Sequence, residues 1–178
     1  MTCRLLLSLL LSVGLSACGS DSGQSSSEEV AENCAGSEFA RSMLASINNY
    51  RAEARHCGDQ AMPAVAPLSW NCTLAESSRL HSLDMATNNF FDHTGSDGLS
   101  VGNRVTNAGY RWRTVGENIA AGQTSIEQVM QGWINSPGHC VNIMRSSYTE
   151  VGAALVTDDT SDYRRYWTQN FAAPFPTE

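Results

Sequence analysis

Three side chains between residues 93 and 139 have types that could act together at one site. His93 lies in the turn-rich segment FFDHTGSDG, Glu117 lies in VGENIA, and His139 follows the tryptophan-bearing run WINSPG. Two imidazoles and a carboxylate are enough for a zinc site with three protein ligands and an open position. The same groups could instead provide a general base, or line a cleft that only binds a ligand.

A purely structural role is open for the same three residues. A glutamate that accepts backbone N–H bonds and orients a histidine can brace a loop junction without doing chemistry. The chain has no H-E-x-x-H motif and no serine in a nucleophile-elbow context. His56, beside Cys57, is predicted to lie at a helix end where a cation suits the dipole, and His81 is predicted to be a structural residue inside a helix.

The N-terminus has the pattern of a bacterial lipoprotein signal. Arg4 precedes the apolar run LLLSLLLSVGL, which is too short for a comfortable membrane span, and residues 1–17 are predicted to be the signal peptide. The sequence LSAC resembles a lipobox, which predicts that Cys18 carries a lipid and attaches the protein to a membrane. Gly19 follows the cysteine, with no aspartate there, and this favours the outer membrane.

The remaining chain divides into a tether and one domain. Residues 18–33 are rich in Ser, Gly and acidic residues and cannot bury enough apolar surface to fold, so they predict a flexible linker. Residues 34–178 have the length of one domain, expected to be monomeric. All 11 basic residues are arginine, and the net charge of −7 argues against binding to nucleic acid.

Four cysteines remain in the exported domain once Cys3 leaves with the signal and Cys18 is assigned to the lipid. They predict two disulfides with three possible connectivities, and no C-x-x-C spacing favours a zinc cluster. The four are Cys34, Cys57, Cys72 and Cys140.

Apolar periodicity and capping patterns predict an α+β domain with helices covering an antiparallel sheet. Ser37 and Ser125 are predicted helix caps, and Thr73 with Glu76 forms a capping-box pattern. Helices are expected over 37–55, 73–88, 100–108 and 125–135, and strands over 115–120, 150–156 and 163–172, the last two joined by the turn 157–162.

In the order of its sequence motifs, the chain resembles the CAP superfamily of cysteine-rich secretory, antigen 5 and pathogenesis-related 1 proteins. The resemblance covers residues 38–172 and depends most on GENIAAG and on W-x-x-SPGH, which is typical of bacterial members. It implies an α-β-α sandwich with a central antiparallel sheet, usually disulfide-bonded and exported. It also implies the pairing Cys57–Cys140, which leaves Cys34–Cys72.

The family's cleft often contains two histidines and two glutamates, of which this chain retains half. The first histidine matches His93, and the glutamate of GEN matches Glu117. The second glutamate falls on Ser136 and the second histidine on Ser147. His139 is the histidine of the bacterial type, and we expect it to enter the same cleft from the helix end.

The lipoprotein signal predicts a membrane-tethered module, and the family resemblance implies that it binds a lipid, another hydrophobic small molecule or an envelope component. The expected cleft consists of His93, Glu117, Asn118 and His139. One alternative is a metal-dependent hydrolase or peptidase, with His93 and His139 binding zinc and Glu117 as a third ligand or general base. Another is an interaction protein that only presents loops 92–100 and 157–162 to a partner. With so few catalytic groups intact, we favour binding over catalysis.

Overall fold

A computed structural model describes residues 34–176. The predicted signal peptide, the predicted lipid attachment at Cys18 and the predicted tether to residue 33 lie outside the described residues. The helices are α1 (Glu38–Arg51), α2 (Cys72–Thr87), α3 (Val101–Asn107), α4 (Ile126–Asn135) and α5 (Pro137–Met144). The strands are β1 (Arg55–Cys57), β2 (Gln60–Met62), β3 (Ser69–Trp70), β4 (Trp112–Ala121), β5 (Glu150–Thr157) and β6 (Arg165–Pro174).

Four strands form the central sheet in the order β3-β5-β6-β4. Strand β6 pairs antiparallel with both β5 and β4, and the two-residue strand β3 joins β5 in parallel. Strands β1 and β2 form a separate antiparallel hairpin. The predicted hairpin around residues 157–162 and the third strand over 115–120 are therefore confirmed, as is the α+β class.

Strand β6 runs through the centre of the molecule, and residues 166–173 are all buried. Trp167 and Phe171 pack into the largest core cluster, which also contains residues of α1, α4 and α5. Asn170 points to the other layer, where its Nδ2 donates to the hydroxyl of Ser77 on α2 at 3.3 Å. The alternation along this strand thus sorts side chains between two helical layers, as the predicted sandwich requires.

Helix α2 lies against strand β5 with almost no side chain between them. A Cβ added at Gly152 would overlap the backbone nitrogen of Ala75, and the hydroxyl of Ser78 donates to the carbonyl of Gly152 at 3.0 Å. This close approach holds helix α2, which contains His81, directly against the sheet.

Helix α1 ends at Arg51, short of its predicted end at Arg55. The buried guanidinium of Arg51 donates to the carbonyl of Ile143 at 2.7 Å, which anchors the helix terminus in the core. The chain then forms the β1–β2 hairpin, whose turn contains Gly58 at φ +61°. His56 therefore lies in strand β1, and its predicted place at a helix end is wrong.

Helix α2 begins one residue before the predicted start because Asn71 caps it. The side chain of Asn71 accepts a backbone N–H from the first turn at 3.1 Å, which makes the predicted capping box at Thr73 unnecessary. Glu76 instead pairs with Arg79 at 2.7 Å on the exposed face. Two predicted caps are confirmed, at Ser37 and Ser125.

The segment Ser136-Pro137-Gly138 both ends helix α4 and begins helix α5. Proline is well tolerated in a first helical turn, because its missing N–H would have no partner there. His139 and Cys140 were predicted to follow a helix end, but they lie in the first turn of a further helix that the sequence analysis did not predict.

Both disulfides have the pairing that the family resemblance implied. Cys34 is bonded to Cys72, and Cys57 is bonded to Cys140, with Cα atoms 6.0 and 5.4 Å apart. The second bond fixes helix α5 to the β1–β2 hairpin. Within residues 34–176, no helix is both long and apolar enough to cross a bilayer.

Candidate functional site

The carboxylate of Glu117 on strand β4 is the centre of a polar cluster. The residue is 6% exposed, and its Oε1 accepts a hydrogen bond from Nδ1 of His93 at 2.8 Å. Its Oε2 accepts one from the guanidinium of Arg104 at 2.6 Å. A carboxylate in the interior needs such partners, because an unpaired buried charge is costly.

Arg104 on helix α3 joins the loop that carries His93 to the sheet. Besides pairing with Glu117, it donates to the carbonyls of His93 at 2.9 Å and Leu99 at 2.7 Å. Asp84 of α2 holds the same loop from the other side, since it accepts the backbone N–H of Ser96 at 2.8 Å. The role of Arg104 could not be predicted from the sequence, because a single arginine in a seven-residue helix has no distinguishing pattern.

The imidazole of His93 is the part of the cluster that reaches solvent. Its side chain is 56% exposed, whereas that of Glu117 is 1% exposed. The hydrogen bond that His93 donates to Glu117 raises the pKa of His93, and desolvation opposes that effect. The pair therefore presents a histidine that is held in place by a buried carboxylate and remains open to a ligand.

His81 lies beneath this pair and is fully buried. Its Nε2 is 3.0 Å from the carbonyl of Asp92 and 3.9 Å from Oε1 of Glu117. Burial lowers the pKa of His81, so the neutral ring donates from Nε2, and Nδ1 has no partner among residues 34–176. A helical stripe of buried positions in α2, including Leu74 and Met85, contains His81 and could have indicated this placement.

Asn118, the next residue of β4, points away from Glu117 into an amide network. Its Nδ2 donates to the carbonyl of His139 at 3.3 Å and to Oε1 of Gln169 at 3.1 Å. Its Oδ1 accepts from Nδ2 of Asn142, which also donates to the backbone carbonyl of Glu117 at 3.1 Å. Helix α5 therefore covers the outer edge of β4 with side-chain amides.

His139 approaches the cluster from helix α5. Burial lowers its pKa, and the charge of His93 lowers it further. The structure thus joins His93 and Glu117 directly and links His139 to the same strand through its backbone carbonyl and Asn118.

The protein family of this chain follows from its similarity to known families. The profile of the cysteine-rich secretory protein family, CAP, matches residues 44–171. The chain belongs to the CAP family. Helices on both faces of a central sheet and two disulfides agree with this assignment.

Two proteins of Bacillus subtilis are similar to this CAP domain. YkwD is 37% identical over 105 residues, and the membrane protein YlbC is 34% identical over 107 residues. These regions cover 59% and 60% of this chain but only 39% and 29% of the relatives. The chain therefore spans well under half the length of the curated relatives it matches.

Solved structures share the fold. An extracellular SCP-domain protein of Bacillus anthracis is 31% identical with a TM-score of 0.54, covering 61% of this chain and 34% of that chain. An outer surface protein of Borrelia burgdorferi has a TM-score of 0.63 at 17% identity, covering 77% of this chain and 93% of that chain. The second likeness shows the fold alone.

This CAP domain does not offer the arrangement that a zinc site needs. Each carboxylate oxygen of Glu117 already accepts a hydrogen bond, and the permanent cation of Arg104 at one of them opposes a second cation. Within residues 34–176, no three His, Cys, Asp or Glu side chains are grouped to hold a metal ion. The possible zinc ligands His93, His139 and Glu117 therefore do not fit that role in this geometry.

Proposed function

We propose that this CAP domain is an exported, lipid-anchored binding module whose cleft presents His93 and His139, with Glu117 positioning His93 and Asn118 bracing strand β4 behind them. The observation that carries the proposal is the half-exposed imidazole of His93 held at 2.8 Å by a buried carboxylate. Arg104 and the loop hydrogen bonds fix that imidazole before any ligand arrives, which reduces the ordering cost of binding.

Binding fits these contacts better than hydrolysis. A carboxylate that acts as a general base needs an oxygen free to take a proton from water. The Glu117 side chain is only 1% exposed, and its oxygens face His93 and Arg104 and not solvent. The ligand class we propose is a hydrophobic small molecule, a lipid or an envelope component, because apolar surface adjoins His139 in a cavity of about 320 Å³.

A ligand inventory of the exported protein tests the binding function. Residues 19–178 would be exported through a cleavable signal, purified without denaturation and extracted for mass spectrometry. We expect a stoichiometric bound molecule in wild type that His93→Ala and Glu117→Gln both lose. His56→Ala is the matched control, because His56 is exposed on β1, outside the cleft. A protein without bound ligand, or with the same content in all variants, would contradict the proposal.

The predicted lipid anchor has its own test. In the full chain, wild type should fractionate with membranes and carry the mass of a lipidated Cys18, and Cys18→Ser should lose that mass. Proteolysis of intact and of permeabilised cells would then report which membrane and which face hold the domain. A wild-type chain that fractionates as an unmodified soluble protein would refute the anchor without affecting the cleft.

A further inference from the structure

A cavity of about 320 Å³ opens beside His139, where strand β4 ends. Residues of β4 and α4 form two of its walls, and the loops that follow α2 and β5 contribute Phe91 and Tyr163. No side chain that lines it carries a carboxylate, an ammonium or a guanidinium group. This cavity, here named the His139 pocket, is therefore separate from the charged groups around Glu117.

Aromatic rings provide much of the surface of the His139 pocket. Phe91 and Tyr163 are 43% and 49% exposed, with ring centroids 5.8 Å apart. Tyr163 also packs edge-on against the buried ring of Tyr166, and Trp133 is fixed by its hydrogen bond to the carbonyl of Ile119. Phe91 and Tyr163 still expose apolar surface, as is typical of a binding site, whereas Trp133 is buried behind them.

Gly132 keeps one wall of the pocket open. It lies within helix α4, and a Cβ added there would have no atom within 4 Å. Glycine is a poor residue for a helix interior, and neither packing nor a left-handed backbone requires one at this position. Gly132 is exposed and lines the cavity, so this part of the wall has no side chain over it.

Gln123 and His139 are two of the neutral polar residues that line the pocket. The Oε1 of Gln123 is buried and accepts no hydrogen bond from residues 34–176. Burial and the charge of His93 both lower the pKa of His139, which favours its neutral ring. A buried acceptor without a partner favours a ligand that brings its own donor.

We propose that the His139 pocket binds a neutral aromatic group that carries an N–H or O–H donor. Its ring packs between Trp133 and the pair Phe91 and Tyr163, and its donor pairs with Gln123. This inference rests on the proposed binding function and names the chemical class of the ligand's apolar part. Aromatic walls favour a ring over an aliphatic chain, and the absence of lining charges favours a neutral molecule.

Indole is a suitable probe, since it is a neutral bicyclic ring with one N–H donor. Calorimetric titration of residues 19–178, with both disulfides formed, should give saturable binding with one site. Hexan-1-ol, which is neutral and aliphatic with one donor, should bind at least about tenfold more weakly. Absence of saturable indole binding, or equal binding of hexan-1-ol, would overturn the proposal.

Substitution of Gly132 tests the location. Gly132→Leu should fill the cavity and weaken indole binding at least about tenfold, and the smaller Gly132→Ala should weaken it by about two- to fivefold without a steric clash. Gly36→Leu is the matched control at another open glycine and should bind as wild type does. Undiminished binding in a folded Gly132→Ala and Gly132→Leu would place indole elsewhere and overturn the assignment.

The donor can be tested with a second ligand and a second variant. 1-Methylindole lacks the N–H and should bind about two- to tenfold more weakly than indole, and Gln123→Leu should abolish that difference. A difference that persists in Gln123→Leu would overturn the assigned hydrogen bond. His56→Ala should leave indole affinity unchanged, since His56 is exposed on β1 and does not line the pocket. Indole binding is measured without the native ligand, so the two proposals can fail independently.

Discussion

Glu117 and Asn118 are neighbours on one strand, but they belong to two different kinds of polar interior. The Asn118 network joins Asn118, Gln169, Asn142 and the carbonyl of His139 through neutral amides, and every polar atom of the Asn118 side chain is paired. The Glu117 cluster joins charged and titratable groups, opens to solvent at His93, and leaves Nδ1 of His81 without a partner in the described part of the chain.

This difference indicates that one network stabilises the fold and that the other is available to bind a ligand. A complete neutral network needs nothing further, so its contribution is to fix the edge of β4 against helix α5. A cluster that keeps an exposed imidazole and an unpaired buried nitrogen has hydrogen-bonding capacity left for a ligand or a water. The comparison therefore predicts that stability depends mainly on the Asn118 network, and binding on the Glu117 cluster.

The largest expected effect is on stability, from Asn118→Ala. This change leaves Oε1 of Gln169 without its partner and removes one of the two hydrogen bonds that Nδ2 of Asn142 donates. Since an orphaned buried polar group costs about 1–3 kcal/mol and a lost hydrogen bond about 1 kcal/mol, the free energy of unfolding should fall by about 3 kcal/mol. Urea unfolding of wild type and Asn118→Ala would measure this change in the free energy of unfolding.

Asn49→Ala, on the exposed face of α1, is the control and should change the free energy of unfolding by less than about 0.5 kcal/mol. If Asn118→Ala were no more destabilising than this control, the network would not brace the sheet edge, and the contrast with Glu117 would disappear.

The sequence made the sandwich, the disulfide pairs and the positions of His93 and Glu117 predictable, because each depends on local patterns or on family motifs. Helix α5 was missed, since Pro137 reads as a helix stop and also suits a first helical turn. Arg104 was missed because its partners, Glu117 and the loop carbonyls, are brought together only by tertiary folding. His81 was recognised as helical, but its depth beneath Glu117 depends on the close packing of α2 on β5.

Glu117→Gln sharpens the comparison, because it keeps the shape of the side chain and removes its charge. Arg104, whose side chain is 10% exposed, then lacks a counter-ion, and we expect the free energy of unfolding to fall by about 2 kcal/mol. The pKa of His93 should also fall toward its ordinary value, because the hydrogen bond to Glu117 is the main cause of its rise. Proton NMR titration would follow the imidazole.

Glu53→Gln, an exposed change on the segment after α1, is the control for both measurements and should leave the pKa of His93 unaltered. An unchanged pKa of His93 in Glu117→Gln would mean that the hydrogen bond at 2.8 Å does not set the protonation of this imidazole.

The smallest effect is a pH dependence that has opposite signs for the histidines of the two regions. The folded pKa of His93 is raised, so its contribution to stability is present in full below the unfolded pKa of about 6.5 and is lost as pH rises through the folded value. The folded pKa of His139 is lowered, so its contribution is present above about pH 6.5 and is lost as pH falls through the folded value. The free energy of unfolding of wild type minus that of His93→Ala should therefore decrease from pH 5.5 to pH 8.5. The same difference for His139→Ala should increase over that range. The His93 difference should stay below about 1 kcal/mol, because that side chain is half exposed. Unfolding curves at the two pH values measure both differences, and slopes of the same sign would show that the two imidazoles do not occupy the contrasting environments described for Glu117 and Asn118.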